Sequence, residues 1–267
     1  MRDPGTTDAV VEARDLELAY GRHTALCCAD FAIPPAALTV LMGSNGSGKS
    51  TLMNAIAGLV EPLRGSLTVL GRSPPPDPGS IAYVLQATAA DALLPITVRE
   101  IVTMARFAHR GLLGRLQRSD RDAVDRAIAT MELQQVASRR FSELSGGQRQ
   151  RALVAQGLAQ EAEILLLDEP MTGLDLVSRA RIIDVLNAQR EEGRAVIMAS
   201  HDLDDAMLAD HVLLLAGRVV SEGRPAIALA PDRLREAYGH RYLELDETVG
   251  ILDDHHHHGH GAHTETR

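Results

Sequence analysis

The segment Gly43-Ser44-Asn45-Gly46-Ser47-Gly48-Lys49-Ser50 fits the pattern G-x-x-x-x-G-K-[ST]. The apolar run Ala37–Met42 before it reads as a strand, and Ser50–Ala57 after it reads as a helix. Strand, glycine-rich loop and helix, in that order, form the setting in which backbone N–H groups turn inward around phosphate oxygens. The start of the helix adds its positive end. In this setting Lys49 reaches the β- and γ-phosphates of a nucleotide and the Ser50 hydroxyl ligates Mg²⁺, while Thr51 completes the nucleotide-binding stretch. An ordinary glycine-rich turn gives no reason for both flanking elements.

The rest of the chain extends the same alternation. Val10–Ala19, Ser66–Leu70, Ile81–Leu85, Ala162–Asp168 and Ala195–Ser200 read as strands, Leu176–Arg190 as a helix, and Val212–Ala216 with Val219–Val220 as a hairpin around Gly217. Strands alternating with helices predict a mainly parallel sheet covered on both faces. From Thr97 to about Ala137 the apolar spacing turns helical, with Val98, Ile101, Val102 and Ala105, then Val124, Ala127, Ile128 and Met131. These positions predict a helical lobe. Ser73–Ser80, SPPPDPGS, reads as a surface loop.

Charge and composition narrow the partners. There are 36 acidic residues against 27 basic ones, a net charge of −9. That balance argues against a protein that grips nucleic acid by its phosphates. No apolar run approaches the ~20 residues of a membrane-spanning helix. MRDPGTTDAV lacks the basic-then-apolar order of a secretory signal. Cys27 and Cys28 are adjacent, so they form no disulfide framework, and are expected as two small buried hydrophobes in a reducing compartment. Together these features predict a cytosolic globular chain.

Two further motifs define the chemistry. Ile164-Leu165-Leu166-Leu167 is an apolar strand that ends in Asp168-Glu169. Asp168 at the strand tip suits Mg²⁺, and Glu169 suits a general base aimed at the attacking water. Leu144-Ser145-Gly146-Gly147-Gln148 is a second glycine-rich turn, opening a helix expected over Gln148–Gln160. By the same physics it is a second anion site. One nucleotide does not need two such sites on one chain, so the second can serve a neighbour's nucleotide.

LSGGQ resembles the signature of ABC ATPases, and LSGGQRQR resembles its importer form. The resemblance covers roughly Val10–Gly223. It implies a P-loop NTPase of α/β class: a RecA-like core with an antiparallel β lobe at its start and a helical lobe inserted at about residues 95–158. The cassette would occupy residues 8–223, followed by an extension over 224–252 and a disordered tail over 253–267. In that family two subunits pack head to tail, so Ser145, Gly146, Gly147 and Gln148 would face the partner's ATP. Tyr20 resembles the aromatic that stacks on adenine. Gln86 resembles the glutamine that touches Mg²⁺ and senses the membrane subunit. Gly173-Leu174-Asp175 resembles the loop that crosses the dimer interface, and His201 resembles the switch histidine near the γ-phosphate. ATP and Mg²⁺ are the implied cofactors. The implied partners are a second copy in the ATP-bound state, membrane permease subunits and, indirectly, an extracytoplasmic metal-binding protein. The implied place is the cytoplasmic face of the membrane.

The helical lobe narrows the class. Leu94-Pro95-Ile96-Thr97-Val98-Arg99-Glu100-Ile101-Val102, then Met104-Ala105-Arg106, Gly111-Leu112-Leu113 and Asp120-Arg121, looks like the lobe of zinc or manganese importers. ATPases of iron-complex importers have similar lobes, and soluble non-transport ABC ATPases are a further alternative. In the tail, six of the last thirteen residues are His255, His256, His257, His258, His260 and His263. Neutral imidazole suits Zn²⁺ better than Mn²⁺, which prefers oxygen.

Overall fold

The computed structural model describes residues 9–21, 23–86, 95–111, 114–239, 242–245 and 248–251. The chain opens with β1 (Val11–Tyr20) and β2 (His23–Ile33), passes through β3 (Leu38–Met42) and α1 (Lys49–Ile56), and returns as β4 (Arg64–Val69). β1, β2 and β4 make the expected antiparallel lobe, in the order β2-β1-β4. β3 instead joins β5 (Ile81–Val84), β6 (Ile164–Asp168), β7 (Ala195–Ser200), β8 (His211–Leu215) and β9 (Val219–Gly223) in a six-stranded sheet, ordered β5-β6-β7-β3-β8-β9. Every pairing in it is parallel except β8 with β9.

The side-chain period of two divides this sheet between two cores. Val40, Met42, Leu165, Leu167, Val196, Met198, Val212 and Leu214 pack on one side with the helical lobe. Leu41, Ile164, Leu166, Ile197, Ala199, Leu213 and Leu215 pack on the other with α1 and the antiparallel lobe. Burial on both faces explains why these strands read as unbroken apolar runs rather than alternating ones.

Between β5 and β6 lie α2 (Val98–Met104), α3 (Phe107–Arg110), α4 (Arg118–Thr130) and α5 (Gly146–Ala159). All eight apolar residues that predicted the lobe are buried. Thr97 starts α2 as a capping box, with the Glu100 carboxylate accepting from the Thr97 N–H at 2.7 Å. α6 (Leu176–Glu191) and α7 (Leu203–Met207) follow β6 and β7. α8 (Pro225–Ala228) and α9 (Pro231–Tyr238) each begin with proline in the first turn, and β10 (Tyr242–Leu245) pairs with β11 (Thr248–Ile251). Ala228, Leu229, Leu234 and Tyr238 join the helix-side core, so packing continues past Gly223.

The cysteine expectation is corrected. Cys27 is half-buried and Cys28 is exposed. Leu16 pairs with Ala29 while Leu18 pairs with Leu26, so β2 carries one residue more than β1 at this point. Cys28 takes φ 48°, and the bulge turns it out of the strand's alternation.

The helical lobe is fastened by a buried ion cluster. Asp120, 1% exposed, accepts from Arg106 Nε at 3.0 Å, Arg110 Nε at 3.0 Å and the Gln117 N–H at 2.8 Å. Arg106 also donates to the Ala159 carbonyl at 2.7 Å and to Glu161 at 2.8 Å. Burial opposes the Asp120 charge, but Gln117, Arg110 and Arg106 outweigh it and hold its pKa at about 2 rather than 3.8. Asp120→Asn is expected to destabilise by about 2 kcal/mol, the equivalent of holding the carboxylate at about 2 rather than 3.8, because Arg106 and Arg110 lose a charged partner while Arg106 keeps Glu161 and the Ala159 carbonyl. A depressed carboxylate pKa stabilises above the unfolded value and loses that contribution as pH falls through the folded one. The stability gap between variant and parent, measured by urea unfolding, is therefore expected to be full above pH 3.8 and to close toward pH 2.

Candidate active site

The phosphate loop leaves the end of β3 and turns into α1 at Lys49. Two of its glycines are forced by close approach. A Cβ on Gly43 would lie 2.4 Å from the Leu215 carbonyl, and one on Gly48, at φ 104°, would lie 2.6 Å from the Ala25 carbonyl. Backbone bonds pin the loop from behind: Ser47 N–H donates to Ser44 O at 3.1 Å, and Gly217 N–H donates to Ser47 O at 3.0 Å. Lys49 folds back over the loop, its Nζ donating to Gly43 O at 2.6 Å and Ser44 O at 3.2 Å. A cleft of about 370 Å³ opens here, lined by Gly46–Thr51, by Glu169, and by His23, Thr24 and Ala25 of β2. That β2 wall carries no motif, and the sequence reading missed it. Tyr20 ends β1 opposite His23.

The paired carboxylates come to the same place by the parallel register. Asp168 sits at the tip of β6, and its Oδ2 accepts from the Ser50 hydroxyl at 3.2 Å. Burial pushes its pKa up and Glu169 adds to this, while Ser50 and Lys49 oppose it. A divalent cation beside Asp168 would offset the same cost. Ser50 and Asp168 are oxygen donors, and two protein oxygens completed by phosphate and water suit Mg²⁺. Glu169 leaves the strand at φ 46°, a left-handed backbone that an L-residue enters at a cost, with its N–H held by Ala199 O at 3.1 Å. Glu169 Oε1 lies 3.3 Å from His201 Nδ1, and Oε2 accepts from the Thr172 hydroxyl at 3.3 Å. Thr172 had no part in the sequence reading, although it lies three residues past Glu169.

The remaining expected residues lie elsewhere. Gln86 is exposed beyond β5 and lines a separate groove of about 490 Å³ with Tyr83, Ile96, Ile101, Met104 and Phe141. Ser145 caps α5, where its Oγ accepts from Gln148 N–H at 3.3 Å and Gln148 Oε1 accepts from Ser145 N–H at 3.1 Å. Gly146 faces open space, whereas a Cβ on Gly147 would meet Ser178 Oγ at 2.6 Å. Asp175 caps the adjoining α6, accepting from Ser178 N–H at 2.8 Å. Leu176 and Val177, on that first turn, are 84% and 78% exposed. None of Ser145–Gln148 lines the nucleotide cleft of its own chain. Leu94, Leu112, Leu113, the Tyr20 side chain and His255, His256, His257, His258, His260 and His263 lie outside the described residues.

A glycine loop between a parallel strand and a helix, with an acidic pair ending a strand of the same sheet, defines a P-loop NTPase. The ABC transporter family model matches residues 27–172, and the chain belongs to that family. It is the ATP-binding and ATP-hydrolysing subunit of such a transporter. It is 35% identical over 230 residues to the manganese transport system ATP-binding protein MntB of Halalkalibacterium halodurans, covering 86% of this chain and 92% of that one. It is 34% identical over 242 residues to the zinc transport system ATP-binding protein TroB of Treponema pallidum, covering 90% and 91%. A dimeric ATP-binding cassette in a post-hydrolysis state with ADP and Pi superposes at a TM-score of 0.69, with 26% identity over 80% of this chain and 98% of that one. Among the described residues no helix is long and apolar enough to cross a membrane.

Proposed function

We propose that this subunit powers import of a divalent metal ion through a separate permease, with zinc the favoured cargo and manganese next. The observation that carries the reading is the 34–35% identity, over most of both chains, to zinc and manganese transport ATPases. The resemblance of the helical lobe to that of zinc and manganese importers points the same way. The chain would sit at the cytoplasmic face, bound to the permease. The groove beside Gln86, with Leu85 and Met104 exposed at its edge, is an apolar seat for a permease segment.

In the cycle, the loop 43–48 and the start of α1 hold the ATP phosphates, with Lys49 leaving its carbonyl partners for the γ-phosphate and Tyr20 stacking on adenine. Mg²⁺, held by Ser50 and Asp168 with Gln86 reaching it on closure, would neutralise charge on the phosphates. Glu169 takes a proton from the attacking water, and His201 orients both Glu169 and the γ-phosphate. Two copies close head to tail, each capping the other's nucleotide with Ser145–Gln148 while the exposed turn at Asp175–Val177 meets the partner. The six tail histidines would collect metal rather than catalyse. The test is ATP-driven uptake by the subunit co-purified with its permease and reconstituted in vesicles. Zinc uptake, with weaker manganese uptake, is expected. Uptake of ferric complexes alone, or no associated permease, would overturn the cargo or the transport assignment respectively.

A further inference from the structure

Behind the hydrolytic centre lies a charged network that the mechanism above does not use. Asp205, in α7, is 4% exposed, and Ser200, the last residue of β7, is 3% exposed. The Ser200 hydroxyl donates to Asp205 Oδ2 at 2.6 Å and accepts from the Asp202 N–H at 3.0 Å. Both neighbours of His201 are therefore fixed by one hydroxyl. Arg179, in the first turn of α6, closes the network from outside: Nη1 donates to Asp202 Oδ2 at 3.1 Å and Nη2 to Asp205 Oδ1 at 2.5 Å. One guanidinium thus bridges the two carboxylates that follow the histidine, at the end of its loop and in α7, a planar fork that a lysine cannot reproduce. The same turn of α6 meets the other half-site. Ser178, next to Arg179, is the group that leaves no room for a Cβ on Gly147.

We infer that Arg179 is a positioning residue for ATP hydrolysis, acting through Asp202, Asp205 and Ser200 to set His201 against Glu169. It ties the signature turn, which caps the partner's nucleotide, to the hydrolytic pair on its own chain. The inference rests on the roles proposed for Glu169 and His201. Its physical content is that the His201 loop has no rigid element of its own. The loop runs between β7 and the five-residue α7, and among the described residues the contacts that fix Asp202 and Asp205 from another helix both come from Arg179. A displacement of about 1 Å at a reacting group costs up to about 100-fold in rate, and that is the scale to expect.

The experiment compares Arg179→Ala, Arg179→Lys, Ser200→Ala and His201→Ala in the Mg²⁺-dependent ATPase assay, with ATP-analogue binding by fluorescence and thermal melting measured alongside. Arg179→Ala is expected to lower kcat by about 10- to 100-fold while the Kd for nucleotide stays within about two-fold, with Lys restoring only part of the loss. Ser200→Ala, which removes no charge, is expected to lower kcat in the same direction with nucleotide binding intact. A structural staple would behave differently: melting temperature would fall and kcat per folded molecule would not. Parental kcat in both Arg179→Ala and Ser200→Ala, with His201→Ala inactive, would overturn the inference and leave the proposed mechanism standing. If Arg179→Ala does not fold, Ser200→Ala decides by the same criterion. An active His201→Ala would instead overturn the role given to His201, and this inference with it.

Discussion

Glu169→Gln is expected to bind ATP like the parent and to hydrolyse it ~10²–10⁴-fold more slowly, the usual loss when a general base is removed. The substitution keeps the shape of the side chain. Its amide oxygen can still accept from Thr172, whose hydroxyl lies 3.3 Å from the carboxylate. The strained turn at φ 46° is a backbone property, held by the Ala199 carbonyl, and should survive. The lost property is the ability to take a proton from water. Because the phosphate loop, Lys49, Ser50 and Asp168 are untouched, nucleotide affinity is expected to remain within a few-fold of the parent. Closure would then proceed without hydrolysis to reopen it, and size-exclusion chromatography with MgATP is expected to show a dimer that the parent forms only transiently. Parental turnover in the variant would remove Glu169 from its assigned role.

What the sequence made legible follows from the range of the interactions involved. The phosphate loop, the acidic strand end and the capped signature helix are local patterns, each written within about a dozen residues. The helical lobe was legible because its period is local too. β2 was not, because the bulge at Cys27–Cys28 breaks its alternation and no pairing partner can be read from the strand alone. The same blind spot hid His23, Thr24 and Ala25 as a wall of the cleft and placed the cysteines inside when Cys28 is outside. Long-range bonds are equally silent. The Leu38 N–H is satisfied by Asp210 Oδ2 at 2.9 Å across 172 positions, and Arg179 meets Asp205 across 26. Nothing at either end signals the other. The final helices were overlooked for a simpler reason: α8 is a single turn, and α9 offers only Leu234 and Tyr238 as buried apolar positions, too few to display a period.

The second large effect separates the two halves of the shared site. Lys49→Ala is expected to weaken ATP binding by about 10- to 100-fold, since it removes charge-assisted contacts worth about 1.5–3 kcal/mol. It also releases the Gly43 and Ser44 carbonyls that the side chain braces. Ser145→Arg attacks the other half. Ser145 is exposed at the start of α5, so the chain loses only a helix cap, about 1 kcal/mol, and keeps its own cleft. Each Ser145→Arg monomer should bind ATP, yet dimers should not close, and hydrolysis should be abolished. Mixing the two proteins, at an ATP concentration too low to occupy Lys49→Ala sites, places both defects in one site of a head-to-tail heterodimer and leaves the other site intact. Half the dimers are mixed and each has one working site, so about a quarter of the parental rate is expected if the sites fire independently. Cross-linking supplies the geometry even if firing is strictly coupled. With Cys27 and Cys28 replaced by serine, Ser44→Cys and Gly146→Cys on separate chains should join between subunits when ATP is added. No product joining the two chains, together with no recovery of activity on mixing, would show that each nucleotide is served by one chain alone.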